Sequence, residues 1–352
     1  MVPTVLFSGA PMAASATSCL LSFARYRVWL ATLAAAVLTA CAVDPQSATD
    51  AEPLVDVPPG FAEQTYPPDN VPTPERVALG KRLFYDLRLS NANDVSCGTC
   101  HDPAKAFTDG LPTSRGTSGR MGVRNAPSLA NVGYLPALMR EGGVPTLEMQ
   151  ILVPIQEHAE FDLEAPFLVS RLSVDSALQQ MSRWAYSRPL DIWVITRAIA
   201  SFERTLVSGR SRADEGRLSD AERRGKEIFH RVGCGTCHGG PLYTNNRMAC
   251  NGLLESYADR GRARLTNNAS DEAVFRVPSL RNVGRTAPYL HNGSIASLTV
   301  VIQRYNSGGY PHPNKDMLLK PLNLSASECD DLEAFLLALT DDRFTTNPRF
   351  RP

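Results

Sequence analysis

Two short stretches, Cys97-Gly98-Thr99-Cys100-His101 and Cys234-Gly235-Thr236-Cys237-His238, constrain this chain more than any other feature of it. Each follows a similar lead-in, Gly80-Lys81-Arg82-Leu83-Phe84 before the first and Gly225-Lys226-Glu227-Ile228-Phe229 before the second. Further on, Pro127-Ser128-Leu129-Ala130-Asn131-Val132-Gly133 is matched by Pro278-Ser279-Leu280-Arg281-Asn282-Val283-Gly284, and at the same offset Gly142 meets Gly293 and Leu147 meets Leu298. A repeat on this scale bounds the domain count before any secondary structure is assigned. It implies two tandem, mainly α-helical domains related by internal duplication, over residues 73–211 and 212–352, joined through the polar segment Ser208–Gly216.

The cysteine spacing carries chemistry. Two thiols separated by two residues can form thioethers with both vinyl groups of one haem, and a histidine directly after the second can turn its imidazole to the iron. A thioredoxin-like pair or a zinc site does not require that histidine, still less twice. Cys97, Cys100 and His101 are therefore read as one c-type haem site and Cys234, Cys237 and His238 as another, which makes the domains cytochrome c-like. Of the eight cysteines, Cys250 and Cys329 remain in the body, free to pair or to stay as thiols.

Helix signals agree with a mainly α chain. Thr73-Pro74-Glu75 reads as a helix start with proline in the first turn, and Ser219 with Glu222 reads as a capping box. A helix over Ile192–Leu206 is predicted to close the first half. Ser325 and Glu328 cap a last one through Leu339, with Leu332, Phe335, Leu336 and Leu339 on one face. Strand signals are sparse.

Residues 1–40 read as a lipoprotein signal peptide, because Arg25 and Arg27 precede an apolar run from Val28 to Ala40 that ends in Leu38-Thr39-Ala40-Cys41. The run of about 13 residues is short of the roughly 20 a spanning helix needs. Cys41 would then carry a lipid anchor, placing the body outside the cytoplasm, in the periplasm, beyond a flexible Pro- and Asp-rich tether over residues 41–72. Lys plus Arg (36) equals Asp plus Glu (36), so no net field favours nucleic acid.

Seven motifs now converge: Phe84-Tyr85-Asp86-Leu87-Arg88-Leu89-Ser90, Phe107-Thr108-Asp109-Gly110, Arg124-Asn125-Ala126-Pro127, Pro154-Ile155-Gln156-Glu157-His158-Ala159-Glu160, Phe275-Arg276-Val277-Pro278-Ser279-Leu280-Arg281-Asn282, Pro288-Tyr289-Leu290-His291-Asn292-Gly293 and the first CxxCH. Over residues 73–345 the chain resembles the bacterial di-haem cytochrome c peroxidases, a family that includes the MauG-like maturation enzymes. The resemblance implies that the His101 haem is the peroxidatic one, that Gln150, Pro154 and Glu160 line its distal pocket, and that Glu160 is the general acid–base. Gln150 and Pro154 stand one helical turn apart and share a face. The implied reaction is reduction of hydrogen peroxide to water, with electrons from a small cytochrome c or cupredoxin entering at the His238 haem. The alternatives are oxidation of side chains of a partner protein and plain di-haem electron transfer.

Three positions depart from the family pattern. Thr117 stands where family members that need reductive activation carry a distal histidine, which implies an open His101 haem. Ala287 replaces the methionine ligand of the second haem, leaving Tyr289 or His291, of which Tyr289 is preferred. Arg140 stands where many relatives place an inter-haem tryptophan. Trp184 and Trp193 are read as packing residues. Asn125 matches a family residue of a calcium site, completed by carbonyls near Asn268 and Ser270.

Overall fold

Thr73 caps the first helix as its sequence predicts, its side chain accepting from Arg76 N–H, and Pro74 opens helix α1 (Pro74–Phe84). The computed structural model describes residues 53–352; the leader and Cys41 lie outside them. Short helices follow, α2 (Cys97–Cys100), α3 (Leu147–Gln150) and α4 (Leu152–Gln156), then α5 (Ala165–Ser173), α6 (Ser176–Tyr186) and α7 (Ile192–Glu203). Beyond them come α8 (Asp220–Arg231), α9 (Ala263–Thr266), α10 (Leu298–Asn306), α11 (Ala326–Leu337) and α12 (Asp342–Thr346). Among the described residues, strands are confined to an antiparallel pair, β1 (Met248–Ala249) and β2 (Phe275–Arg276), with Met248 opposite Arg276. No helix among the described residues is long and apolar enough to cross a membrane.

Two apolar clusters hold the helices. One gathers Leu79, Leu83, Phe84, Phe107, Ile155, Leu168 and Phe202 around α1 and α7. The other gathers Ile228, Phe229, Leu298, Ile302, Leu332 and Phe335 around α8, α10 and α11. Each is built on a helix pair in close approach. A Cβ on Gly80 would lie 1.9 Å from Ala198 O, and a Cβ on Gly225 would lie 1.9 Å from Asp331 O. Local geometry repeats too. Asn131 and Asn282 both adopt left-handed backbone, at φ 62° and 59°, before a single 3₁₀ turn.

Several expectations shift. Helix α7 ends at Glu203 rather than Leu206, because Asn131 draws the following backbone away: its N–H donates to Leu206 O (2.7 Å) and its side-chain amide to Ser208 O (2.8 Å). Helix α11 stops at Leu337, yet Leu339 beyond it is fully buried. The part of the predicted tether that is described, residues 53–72, has neither helix nor strand but is packed onto the body. Asn70 is fully buried and donates to Glu148 (2.7 Å) and Arg197 O (3.0 Å), while Asp69 pairs with Arg197. Trp193 packs between Arg188 and Arg197, as expected, but Trp184 is 68% exposed and packs into no core.

Candidate functional site

The first cysteine motif is positioned by a capped turn. Ser96 and Thr99 form a capping box at the start of α2, so Cys97 and Cys100 stand one turn apart and His101 follows as the helix ends. His101 Nδ1 donates to Phe107 O at 2.7 Å; since a carbonyl only accepts, the proton is on Nδ1 and the lone pair of Nε2 is left free. Burial lowers the pKa of this imidazole and keeps it neutral. The second motif repeats the device, His238 Nδ1 donating to Pro278 O at 3.1 Å. Burial lowers its pKa likewise. Cys97, Cys100, Cys234 and Cys237 are free thiols. Two thiols and one oriented, neutral imidazole form the donor set a covalently attached haem requires, and it occurs twice.

Around the first motif, the chain returns on itself after α4. Phe161 N–H donates to Pro154 O (3.1 Å) and Leu163 N–H to Ile155 O (2.8 Å), which sets Glu160 beside Pro154. Gln150 lies one turn earlier, its amide reaching Met139 Sδ at 3.9 Å. Glu160 lies close enough to the haem-attachment turn to act electrostatically on both Cys97 and Cys100. Burial, reinforced by the neighbouring Glu157 charge, pushes its pKa up to about 7. The loop over residues 114–122 is locked against this turn. Thr117 N–H donates to Glu160 O (2.7 Å), its hydroxyl to Asp94 (2.7 Å), and a Cβ on Gly116 would lie 2.1 Å from Ala159 O.

A second, buried carboxyl acts on the same turn and was missed by sequence reasoning. Glu203, at the end of α7, is 5% exposed, its Oε2 has no hydrogen-bond partner, and it too acts on Cys97. Burial pushes its pKa up to about 8. Its helical position resembles any core-facing site, and no motif marks it.

The second motif opens on a cavity of ≈ 380 Å³, within the range of about 300–1,000 Å³ usual for ligand sites. Cys234, Cys237 and His238 line it, as do Tyr289, His291 and Arg140. Tyr289 O–H donates to Val283 O (3.1 Å). His291 is stacked on Phe275, ring centroids 4.3 Å apart, and burial pushes its pKa down to about 4. Cys250 and Cys329 are not paired with each other; Cys250 Sγ lies 3.6 Å from His312 Nδ1.

The atoms that the calcium expectation assigns to Asn125 are already engaged. Both oxygens of Asn125 already accept from the guanidinium of Arg140, the backbone O at 2.7 Å and Oδ1 at 3.2 Å, so a fixed cation stands where the ion would be. Among the described residues no cluster of three or more acidic, histidine or cysteine side chains could hold a metal.

A helical frame with two CxxCH turns, each ending in an oriented imidazole, defines a di-haem c-type cytochrome. The model of the di-haem cytochrome c peroxidase family matches residues 74–222. The chain is 34% identical over 285 residues to the methylamine utilization protein MauG of Methylorubrum extorquens, covering 78% of this chain and 80% of that one. It is also 34% identical to the cytochrome-c peroxidase IdrP1 of Pseudomonas sp. strain SCT, over 84% of this chain and 88% of that one. A crystal structure of a MauG-like protein associated with microbial copper homeostasis superposes with a TM-score of 0.79 at 33% identity, covering 84% of this chain and 97% of that one. The chain belongs to the di-haem cytochrome c peroxidase and MauG family. That membership implies two c-type haems and a peroxidase-like oxidoreductase chemistry.

Proposed function

We propose that this protein reduces hydrogen peroxide to water in the periplasm, with two electrons from a small cytochrome or copper protein and two protons for each peroxide. The single observation that carries this reading is the half-buried carboxyl of Glu160, lifted to about 7 and close enough to the His101 site to act on Cys97 and Cys100. When bound there, haem supplies an iron that exchanges electrons singly and activates peroxide. The residues do the rest. His101, held by Phe107 O, presents Nε2 in a fixed direction. Glu160 takes a proton from the near oxygen of peroxide and returns it to the far oxygen as the O–O bond opens, a role suited to a group that titrates near neutrality. Pro154 and Gln150 flank the pocket. The loop that carries Thr117 is hydrogen-bonded down and offers no imidazole, so peroxide needs no displaced side chain to enter. Tyr289, released from its hydrogen bond to Val283 O, would be the second residue to hold the iron at the His238 site, and a duplicated haem domain accounts for the recurring helix pairs and asparagine turns. Cys41 anchors the body to a membrane by lipid.

The variant Glu160→Gln tests the reading. Loss of about a hundredfold or more in the rate of reaction with peroxide is expected; near-normal kinetics would reject Glu160 as the proton-handling group. A second reading, oxidation of side chains on a partner protein, is favoured by Tyr289 at the cavity with Ala287 in place of methionine, and by likeness to MauG and to the copper-associated relative. Rapid turnover with reduced cytochrome c supports the first reading. Slow turnover with a mass change in a partner supports the second.

A further inference from the structure

The cavity beside Cys234, Cys237 and His238 holds two cations that the proposed reaction leaves unused. Arg140 and Arg276 both line it. Their backbones are joined, Arg276 N–H donating to Arg140 O at 2.6 Å, so the two side chains spring from neighbouring points on the wall. One Nη of Arg140 is engaged by Asn125, and Arg276 makes only a long contact of 3.5 Å to Asn246 Oδ1. The Nε of each is buried without a hydrogen-bond partner. The carboxylates that act on Arg140, Asp259 and Glu141, are already held by Arg124 at 2.6 Å each.

Two neighbouring guanidinium groups with orphaned donors are costly to bury unless an anion meets them. Burial, with repulsion from Arg124 and Arg276, pulls the pKa of Arg140 down to about 10, which is the same cost seen from the side of titration. Arginine presents a planar fork of donors that matches a carboxylate. The two propionates of a haem are its anionic substituents, and the cavity that these arginines line is the one that holds the second attachment motif.

We propose that Arg140 and Arg276 form a carboxylate clamp for the propionates of the haem attached at Cys234 and Cys237, and that their charge sets the reduction potential of that haem. This rests on the reading of His238 as a haem ligand. A fixed positive charge close to a redox centre stabilises the form that carries the added electron, so removing it makes reduction harder. Arg140 thus supplies charge, not a conducting ring, at the position between the two halves.

The test is spectroelectrochemical titration of the full di-haem protein and of Arg140→Met, Arg276→Met and Arg140→Lys, with haem content measured in each and the exposed Arg343→Gln as a control. Both methionine variants should keep two haems, while the ratio of reduced to oxidised His238 haem at fixed potential falls about tenfold, or about 59 mV for one electron. Arg140→Lys should recover part of the shift, and Arg343→Gln should show none. A change smaller than twofold in both methionine variants overturns the proposal, as does an equal shift in Arg140→Lys and Arg140→Met. Absence of haem at Cys234 and Cys237 in the unaltered protein would remove the reading of the site and the clamp together, and haem content separates that failure from a failure of the arginine pair alone.

Discussion

At the scale of the residue, two carboxyls near one haem-attachment turn have been driven in the same direction by burial and differ in what surrounds them. Glu160 is partly accessible and titrates near 7; Glu203 is closed off with an orphaned oxygen and titrates near 8. A proton acceptor must start ionised, so peroxide reactivity should rise with pH through about 7 in the unaltered protein and lose that dependence in Glu160→Gln; a stopped-flow pH series reads it. Glu203 should show itself in stability instead. Its folded pKa is raised from 4.5 to about 8, so the folded state binds more protons than the unfolded between those values. Stability contributed by its neutral form is fully present below about pH 4.5 and is lost as pH rises to about 8, at about 1.4 kcal/mol per pH unit. Glu203→Gln cannot ionise. Denaturant titrations from pH 5 to 8 should show the variant gaining on the unaltered protein as pH rises, and parallel curves would mean that Glu203 does not titrate in that window. The sequence displayed Glu160 through a motif that resembles the family's, whereas Glu203 looked like one more turn of an apolar helix. Arg140 was visible only as a departure from a pattern; its unmet Nε needed the fold.

At the scale of the element, the helix ends that carry their own chemistry were legible. Thr73, Ser219 and Ser325 cap the helices that their side chains announce, since a cap is local and needs no distant partner. What escaped was settled by distant groups. Helix α7 stops where Asn131 captures its continuing backbone, and residues 53–72, polar enough to read as a loose tether, are fixed by Asn70 among Glu148, Tyr186 and Ser201. The lead-in glycines had a clear pattern but no clear reason until the crossings were seen. Gly80 and Gly225 let a backbone carbonyl of the opposing helix come to within 1.9 Å of where a Cβ would be. A carbonyl in a helix cannot rotate away as a side chain can. Gly80→Ala and Gly225→Ala should therefore each cost about 1–3 kcal/mol or more, exceeding the roughly 1 kcal/mol expected for loss of the Ser219 cap in Ser219→Ala. Urea denaturation of the three variants ranks them, and a glycine variant milder than the cap variant would mean that the crossing helices separate easily.

At the scale of the whole molecule, the two haem-attachment regions are joined by charge as well as by packing. Arg124 precedes the asparagine that holds Arg140, and its guanidinium grips Asp259 through Nε (2.6 Å) and Nη2 (3.0 Å) while Nη1 holds Glu141 (2.6 Å). Arg262 adds a bond to Glu141 O (3.1 Å), and Asn125 N–H donates to His291 O (2.8 Å). Residues numbered in the 120s and 140s are thus bound to residues numbered 259–291, beside the second cavity where Asn125 and His291 line it. The three side chains are largely buried, at 15%, 14% and 6% exposure. Removing the shared cation strands Asp259 and leaves Glu141 only its longer pairing with Arg264 at 3.6 Å; breaking such a buried pair costs about 3–5 kcal/mol, where replacing it whole would cost less. Arg124→Met should lose about that much, and the triple change Arg124→Met, Asp259→Asn, Glu141→Gln should recover part of it, because no buried charge is then left alone. The Arg124 guanidinium also holds the Asp259 carboxyl below its ordinary value against the opposing effect of burial. Its contribution is therefore present at neutral pH and disappears as pH falls below the usual carboxylate range, so the penalty of Arg124→Met should shrink on acidification. Urea denaturation at pH 7 and at pH 3, below the ordinary carboxylate value, measures both effects. An unchanged penalty at the lower pH would show that Arg124 joins the two regions by packing alone.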